Sequence, residues 1–270
     1  MQKSSVFMVL CIGHIIGEYF LTNKYIVKKK DKKKIFCYCL AYIIPFIIIG
    51  MLFYIYGYNI GKICLECICI HFIIEVIKRW IENYDIRTNK LPINVTNVIY
   101  VCSLIFHILS FFLIIWKSSI LVYYFPEYII KPIPYLLYFL CIAKPANITF
   151  KILFSAYQVK PESEQEDDNS TKTKNGAGAL VGILEQFLCA VFIVLGQYSA
   201  VGLTMTAKSI ARYDQITKNP AFAEYYLIGT LYSILYMQIP LHRITDSGSN
   251  GSVFPVVTEH FSASSDHVFL

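Results

Sequence analysis

Charged residues are scarce in this sequence. Of its 270 residues, 18 are acidic and 24 are basic, so that 16% are charged while 56% are hydrophobic. A typical soluble domain uses about a quarter of its residues for charge. Most of the chain lies in apolar runs that approach or exceed the ~20 residues needed to cross a bilayer as a helix. The composition therefore predicts an all-α, polytopic membrane protein and excludes a large water-soluble domain.

Two further features are absent. The first apolar run lacks the small-residue cleavage site of a signal peptide and contains His14 and Glu18, so we expect it to remain as a first membrane span. The net charge of +6 comes from basic residues beside apolar segments, and no recognition motif accompanies them. We therefore expect the lipid bilayer, and no nucleic acid, as the partner.

The cysteines are odd in number, nine in all, and lie within or beside the apolar runs. This placement predicts buried free thiols. The densest group is Cys64-Leu65-Glu66-Cys67-Ile68-Cys69, but it lacks the second ligand pair of a structural zinc site. We interpret these cysteines as small packing residues, with a zinc–thiolate site as the alternative.

The apolar runs predict about six to seven membrane segments in two bundle halves joined by an acidic linker. The predicted segments are residues 6–27, 35–58, 60–80 and 98–116, a proline-broken segment around 135–143, and then 178–203 and 222–237. A polar connection is expected at 81–97. The predicted domains are an N-terminal half at 1–157, an exposed linker at 158–177, a C-terminal half at 178–241 and a disordered polar tail at 242–270.

The loop that begins at Lys28 and ends at Lys34 contains six lysines. Lysine-rich loops beside membrane spans face the cytoplasm, and they attract anionic lipid. We therefore expect a multi-pass protein of the cell membrane with this loop on the cytoplasmic side. An even number of crossings between the loop and the acidic linker would place the linker on the same side.

Two histidines are each followed by a glutamate four residues later, His14 by Glu18 and His71 by Glu75. In a helix this spacing puts both members of a pair on one face. His107 lies in the middle of another apolar run. Because each ionisable group costs roughly 2.5–3.5 kcal/mol at bilayer depth, we expect all five side chains to converge within about 10 Å as ligands of one site.

Such a set of imidazole and carboxylate groups is typical of a divalent transition-metal site, with zinc, manganese or iron as the candidate ions. Glu18 and Glu75 are then also the candidate catalytic residues, because a bound metal activates water for hydrolysis. The candidate anion-binding residues are Lys78, Lys208 and Arg212.

A second interpretation of Lys208 and Arg212 is that they form the basic end of a membrane span. They could also pair with Glu185 or Glu224, which we expect to be structural polar groups inside the C-terminal half.

Three functions remain open: a metal-dependent hydrolase acting on a membrane-associated substrate, a proton or ion relay or carrier, and a non-enzymatic structural or regulatory membrane partner. Gly13 and Gly17 beside His14 favour the third, because small residues allow close helix packing. The absence of an internal repeat weighs against a carrier.

The histidine motifs resemble those of the bacterial membrane proteins catalogued as domain of unknown function 3307. The family pattern His-x-x-Gly-Asp-Phe, followed by a lysine-rich loop, corresponds to His14-Ile15-Ile16-Gly17-Glu18-Tyr19. The later pattern His-x-x-x-Asp-x-x-Lys corresponds to His71-Phe72-Ile73-Ile74-Glu75-Val76-Ile77-Lys78. With similar stretches in the C-terminal half, the resemblance covers residues 6–240.

The resemblance implies a helical bundle in the bacterial inner membrane whose His and carboxylate residues form one site, and it implies no known activity. This chain has glutamate at both positions where the family pattern has aspartate. The family's Asp-Gln-x-x-His stands here as Ser103-Leu104-Ile105-Phe106-His107, so one carboxylate of a family site is absent.

Overall fold

The computed structural model describes residues 3–21, 32–88, 93–118, 126–158 and 177–248. Within these ranges the chain is helical apart from short turns and links, and contains no strand. The chain divides into two compact units, Met1–Gln158 and Val159–Leu270. The prediction of an all-α protein is confirmed.

The first unit is built from four long helices followed by shorter ones. The long helices are α1 (Lys3–Ile15), α2 (Lys32–Ile55), α3 (Gly61–Thr88) and α4 (Ile93–Lys117). A π-helical segment (Ile16–Leu21) continues α1 directly. The shorter elements are α5 (Glu127–Ile130), α6 (Ile133–Ala143), α7 (Pro145–Leu153) and a 3₁₀ turn (Ser155–Tyr157).

Contacts at both ends of α1 show that it runs antiparallel to α4. At its start, the Lys3 ammonium donates to the backbone carbonyls of Trp116 and Ser118, at 3.2 and 2.9 Å. Lysine is favourable there because the last carbonyls of a helix lack intrahelical donors. At the other end, the Tyr19 and Tyr100 hydroxyls lie 3.1 Å apart. These contacts fix the register that places the middle of α1 beside the middle of α4.

Two glycines let α1 approach α2 closely. A Cβ atom on Gly13 would lie 2.7 Å from Ile49 Cδ1, and one on Gly17 would lie 2.9 Å from Tyr42 Cδ2 and 3.2 Å from the Tyr42 carbonyl oxygen. At Gly13 the Ile49 side chain would have to turn away, whereas at Gly17 the nearby Tyr42 carbonyl belongs to the backbone of α2 itself. The glycines therefore set the distance between these helices.

Many of the buried apolar side chains of the first unit form one cluster, contributed by the start of α1, the start of α3, the C-terminal half of α4 and α2 from Tyr42 onward. We call it the apolar core. Its fully buried members are Val6, Leu10, Tyr42, Phe46, Phe53, Ile60, Ile63, Cys64, Cys67, Phe111 and Ile115.

The second unit contains α8 (Ala177–Val194), α9 (Tyr198–Ala211), α10 (Tyr213–Lys218) and α11 (Pro220–Gly248). The single apolar helix predicted at 178–203 is wrong, because the chain turns at Gly196, whose φ of +72° is readily adopted only by glycine. The polar tail predicted from residue 242 also begins too early, since α11 continues to Gly248. No proline or consecutive glycines interrupt residues 242–248, so nothing there ends the helix.

Three described segments are long and apolar enough to cross a membrane: Lys3–Leu21, Asn97–Lys117 and Glu127–Leu153. This is fewer than the six to seven predicted. Cys39–Ile55 and Leu180–Val194 are apolar but shorter, and charged residues punctuate α3. The connection predicted at 81–97, with Pro92 and a short amphipathic portion, is shorter than expected, because α3 continues to Thr88 and α4 begins at Ile93. The first proline after residue 80 is Pro92, so nothing breaks α3 earlier.

Several expectations concern residues outside the described ranges. These are the end of the first predicted segment and most of the lysine-rich loop (22–31), the acidic linker (159–176) and the end of the tail (249–270). The cytoplasmic position of the loop and linker, the contact of the loop with anionic lipid and the remaining domain boundaries stay predictions.

Candidate metal centre in the first unit

Three histidines from three helices meet in the middle of the first unit. His14 on α1, His71 on α3 and His107 on α4 each expose less than a tenth of their surface. One nitrogen from each ring lies within 4.8 Å of the others. The expected convergence of these three residues is what the structure shows.

The hydrogen bonds of the cluster fix which nitrogens carry protons. His107 Nδ1 lies 2.7 Å from the Ser103 carbonyl oxygen, which can only accept, so Nδ1 carries the proton. In a neutral ring His107 Nε2 is then the acceptor, and His71 Nδ1, at 3.0 Å, donates to it. The remaining nitrogen of His71, Nε2, therefore presents a lone pair when that ring is neutral.

Glu18 lies beside this lone pair. Its Oε2 atom is 3.9 Å from His71 Nε2, and the glutamate side chain is almost fully buried. Two electron-pair donors in this position are stabilised by a shared proton or by a metal ion. Glu18 belongs to the π-helical segment that begins two residues after His14. Single π-helical turns inside α-helices occur frequently at functional sites, and no local sequence pattern indicates this one.

Tyr42 on α2 is a site residue that sequence reasoning missed. Its hydroxyl lies 2.9 Å from His14 Nδ1, and its ring stacks on His71 with centroids 3.5 Å apart and planes 8° from parallel. Tyr42 thus orients two of the three histidines at once. The signal that could have found it is Gly17, since a glycine facing the second helix leaves space for a large side chain.

Glu75 lies one turn beyond His71 on α3 and is also buried. Its Oε2 atom is 3.5 Å from Lys78 Nζ, and both side chains are only about a tenth exposed. The carboxylate and the ammonium therefore offset one another in a poorly solvated place. Lys78, expected to bind an anion, is held by an acid of its own helix.

The three histidines fit a transition-metal ion. Nitrogens bound at 2.0–2.1 Å to a tetrahedral zinc ion lie about 3.3 Å apart, so the cluster could close on an ion with shifts of about 1 Å. His107 Nε2 would then exchange its hydrogen bond from His71 Nδ1 for the metal. The Nδ1–H donation of His107 to a backbone carbonyl is also the support that metal-binding histidines usually receive. Among the described residues, a search for three or more potential ligand side chains close enough to share one ion finds these three histidines.

The cysteines do not form a second group of this kind in the part of the chain that the structure describes. Cys64 and Cys67 lie in the apolar core, whereas Cys69 is exposed. Cys64 and Cys67 are thus packing residues as expected, whereas the prediction of buried thiols is wrong for Cys69 and for Cys102, which is also exposed.

The charged candidates of the second unit form a separate arrangement. Lys208 Nζ lies 2.8 Å from Glu185 Oε2, with the two side chains about one-fifth exposed. The same ammonium lies 5.6 Å from the centre of the Tyr226 ring. Arg212 follows α9 and is partly buried, whereas Glu224 is exposed rather than inside the bundle as expected. Glu224 lies in the first two turns of α11, before its more buried part.

These observations define an all-α protein with a candidate metal centre of three buried histidines in its first unit. Residues 6–131 match the model of the family described as "Protein of unknown function (DUF3307)". The resemblance noted from the histidine motifs is thus confirmed over this range, which contains His14, Glu18, His71, Glu75 and His107. The match ends before the second unit, where the resemblance stays a prediction. No curated protein and no solved structure matches the chain.

Proposed function

We propose that the chain is an integral membrane protein that holds a divalent transition metal on His14, His71 and His107 and uses it to hydrolyse a membrane-associated substrate. The observation that carries this proposal is the approach of three buried imidazole nitrogens to within 4.8 Å of one another. Three segments with the length and composition of membrane spans support the location. Zinc suits three histidine ligands best among zinc, manganese and iron.

Held by the three histidines, the metal would supply Lewis-acid activation of a water molecule. We assign to Glu18 the role of general base, because its carboxylate lies beside His71, and Glu18 would return the accepted proton to the leaving group. We assign this role to Glu18 rather than Glu75, since Glu75 lies a turn farther along α3 and contacts Lys78.

A proton relay is the second candidate, and one observation favours it. Glu18, His71 and His107 form a row of ionisable groups, with His71 donating to His107 across 3.0 Å. However, the row continues from His107 to the Ser103 backbone carbonyl, which accepts a hydrogen bond but does not carry protons onward at neutral pH. Passage through this carbonyl is therefore closed, and we rank the metal site first.

The test is metal analysis of the protein purified in detergent and equilibrated with zinc. We expect about one zinc ion per chain in the wild type and almost none in His71→Ala, because a structural histidine set loses most of its affinity with one ligand removed. The matched control is His242→Ala, which removes a histidine from the second unit and should leave the zinc content unchanged. A wild type that binds no zinc, or a His71→Ala variant that binds as much, would contradict the proposal.

A further inference from the structure

The surroundings of the histidine cluster differ between its two sides. Towards the start of α1 and the C-terminus of α4, the neighbouring side chains are those of the apolar core. Leu10, Cys67 and Phe111 lie there within about one helical turn of His14, His71 and His107 respectively, and each of the three is at most 1% exposed. On this side the cluster is sealed by tightly packed apolar groups.

The other side of the cluster is polar, and we call it the polar end. It contains Glu18 and Tyr19 from the π-helical segment, Glu75 and Lys78 from α3, Tyr100 and Ser103 from α4, and Thr149 from α7. Tyr100 links two of these elements, because its hydroxyl lies 3.1 Å from both the Tyr19 hydroxyl and Thr149 Oγ1.

The helix directions explain why these residues share one end. α1 is antiparallel to α4, so the residues that follow His14 lie beside those that precede His107. Lys78 follows His71 by seven residues, which is two turns on the same face of α3 and about 10 Å along its axis. The polar groups therefore continue from the histidines towards the end of the bundle at which the π-helical segment ends.

We propose that water and a divalent cation reach the histidine cluster through the polar end, and that the apolar core closes the opposite side. The choice of cation rests on the proposed function, whereas the direction of access does not. A hydrated ion loses much of its solvation in an apolar passage, but hydroxyl and carboxylate oxygens can replace part of that shell.

The charges at the polar end favour a cation over an anion. Glu18 and Glu75 place two carboxylates beside the histidines, Lys78 supplies an ammonium that lies against Glu75, and Lys144 lies 4.8 Å from the centre of the Phe20 ring in the same π-helical segment. A cation nearing the histidines would be attracted by the carboxylates beside them, whereas an anion would be repelled. Water, once inside, would find donors and acceptors from Tyr100 and Ser103.

Two serines of α4 offer a matched test of the direction. Ser103 lies four residues before His107 at the polar end, and Ser110 lies three residues after it on the side of the apolar core. Both are partly buried. Ser103→Cys and Ser110→Cys change a single atom type, so both variants should fold. Each is labelled in detergent with a cationic methanethiosulfonate, and labelling is followed at each introduced thiol by peptide mass spectrometry.

The labelling rate with the cationic reagent at each position is divided by the labelling rate with uncharged methyl methanethiosulfonate at the same position. This ratio corrects for the intrinsic reactivity of the thiol. We expect the corrected rate at position 103 to exceed that at position 110 at least tenfold. Equal rates, or faster labelling at 110, would overturn the proposal. If Ser103→Cys were misfolded, Thr149→Cys provides the same comparison from α7, with the same two outcomes.

The charge preference has its own control within α3. Removing a carboxylate from the polar end by Glu75→Gln should lower the ratio of cationic to anionic reagent rates in the Ser103→Cys background several-fold. Glu66→Gln, one acid earlier on the same helix and about half exposed, should leave the ratio unchanged. A ratio that is insensitive to Glu75 would overturn the cation preference. Because labelling needs no bound metal, this result stands apart from the zinc analysis.

Discussion

The two units solve the problem of burying charge in different ways. In the second unit, Glu185 and Lys208 form a one-to-one ion pair at 2.8 Å, and the Tyr226 ring lies against the ammonium. An acid and a base in this arrangement neutralise each other and need no further group. The pair fits a structural role in holding α8 and α9 together.

The centre of the first unit is built differently. Three imidazoles and the Glu18 carboxylate gather in one place, and the tautomers set by Ser103 and His107 leave His71 Nε2 as an electron-pair donor beside that carboxylate. A surplus of electron-pair donors attracts a proton or a metal ion. The comparison teaches that buried ionisable residues in helices can have two roles. A matched acid and base indicate a structural ion pair, whereas several electron-pair donors in one place indicate a binding site.

The largest effect that would test this comparison is expected from Glu18→Gln. If Glu18 accepts the proton of a metal-bound water, the amide variant should keep bound zinc but lose about 10²- to 10⁴-fold in rate. The measurement is zinc-dependent hydrolysis of 4-nitrophenyl acetate as a small ester probe, with zinc content determined in parallel.

Glu66→Gln is the control, since it removes a carboxylate at a more exposed position of α3. A Glu18→Gln variant that hydrolyses the ester at the wild-type rate would eliminate the general-base role. Loss of zinc together with activity would instead make Glu18 a fourth ligand.

Sequence reasoning could predict the members of the centre because the cost of burying ionisable groups follows from the residue types and the apolar runs that contain them. The i, i+4 spacing of His14 and Glu18, and of His71 and Glu75, placed each pair on one helix face. It could not predict Tyr42, because a tyrosine in an apolar run has no distinctive spacing. The π-helical turn at Glu18 could not be predicted either, since no local sequence pattern indicates it.

The helix boundaries were predicted least well, for physical reasons that differ between places. Hydropathy ended the third segment at Trp80, although α3 continues to Thr88, because polarity alone does not stop a helix. Conversely, the hydropathy pattern predicted one helix where the structure has α8 and α9. The first of these helices ends just before Gly196, which has a left-handed backbone conformation. Apolar patterning reports burial or lipid contact, and it does not report backbone geometry.

Gly17→Ala should have the second-largest effect on the metal centre, because the added methyl group would clash with Tyr42, which orients two of the histidines. The new methyl group would lie 2.9 Å from the Tyr42 ring and 3.2 Å from its carbonyl oxygen, and overpacking of this kind costs about 1–3 kcal/mol. We expect a lower melting temperature in detergent, followed by circular dichroism, and weaker zinc binding as Tyr42 moves off His71.

Gly50→Ala is the matched control on α2, where a Cβ atom would meet nothing within 4 Å. In that helical position alanine should stabilise the protein by about 0.4–1 kcal/mol. If both substitutions changed stability in the same direction and by the same amount, close packing at Gly17 would not be what positions Tyr42.

The smallest effect on stability is expected for the Glu185–Lys208 ion pair of the second unit, to which the comparison assigns a structural role only. In a double-mutant cycle of Glu185→Gln and Lys208→Met, each single change leaves one charge without its partner inside a largely apolar unit. The double variant removes both charges and should therefore recover part of the loss, with a coupling energy of about 1 kcal/mol at this partial exposure. Unfolding of the four proteins in mixed detergent micelles supplies the free energies of unfolding.

Zinc content should stay unchanged in all four proteins, because the proposed ligands belong to the first unit. Additive losses would show that the 2.8 Å contact contributes no stability, and a zinc content that fell with Lys208→Met would mean that the second unit also shapes the metal centre.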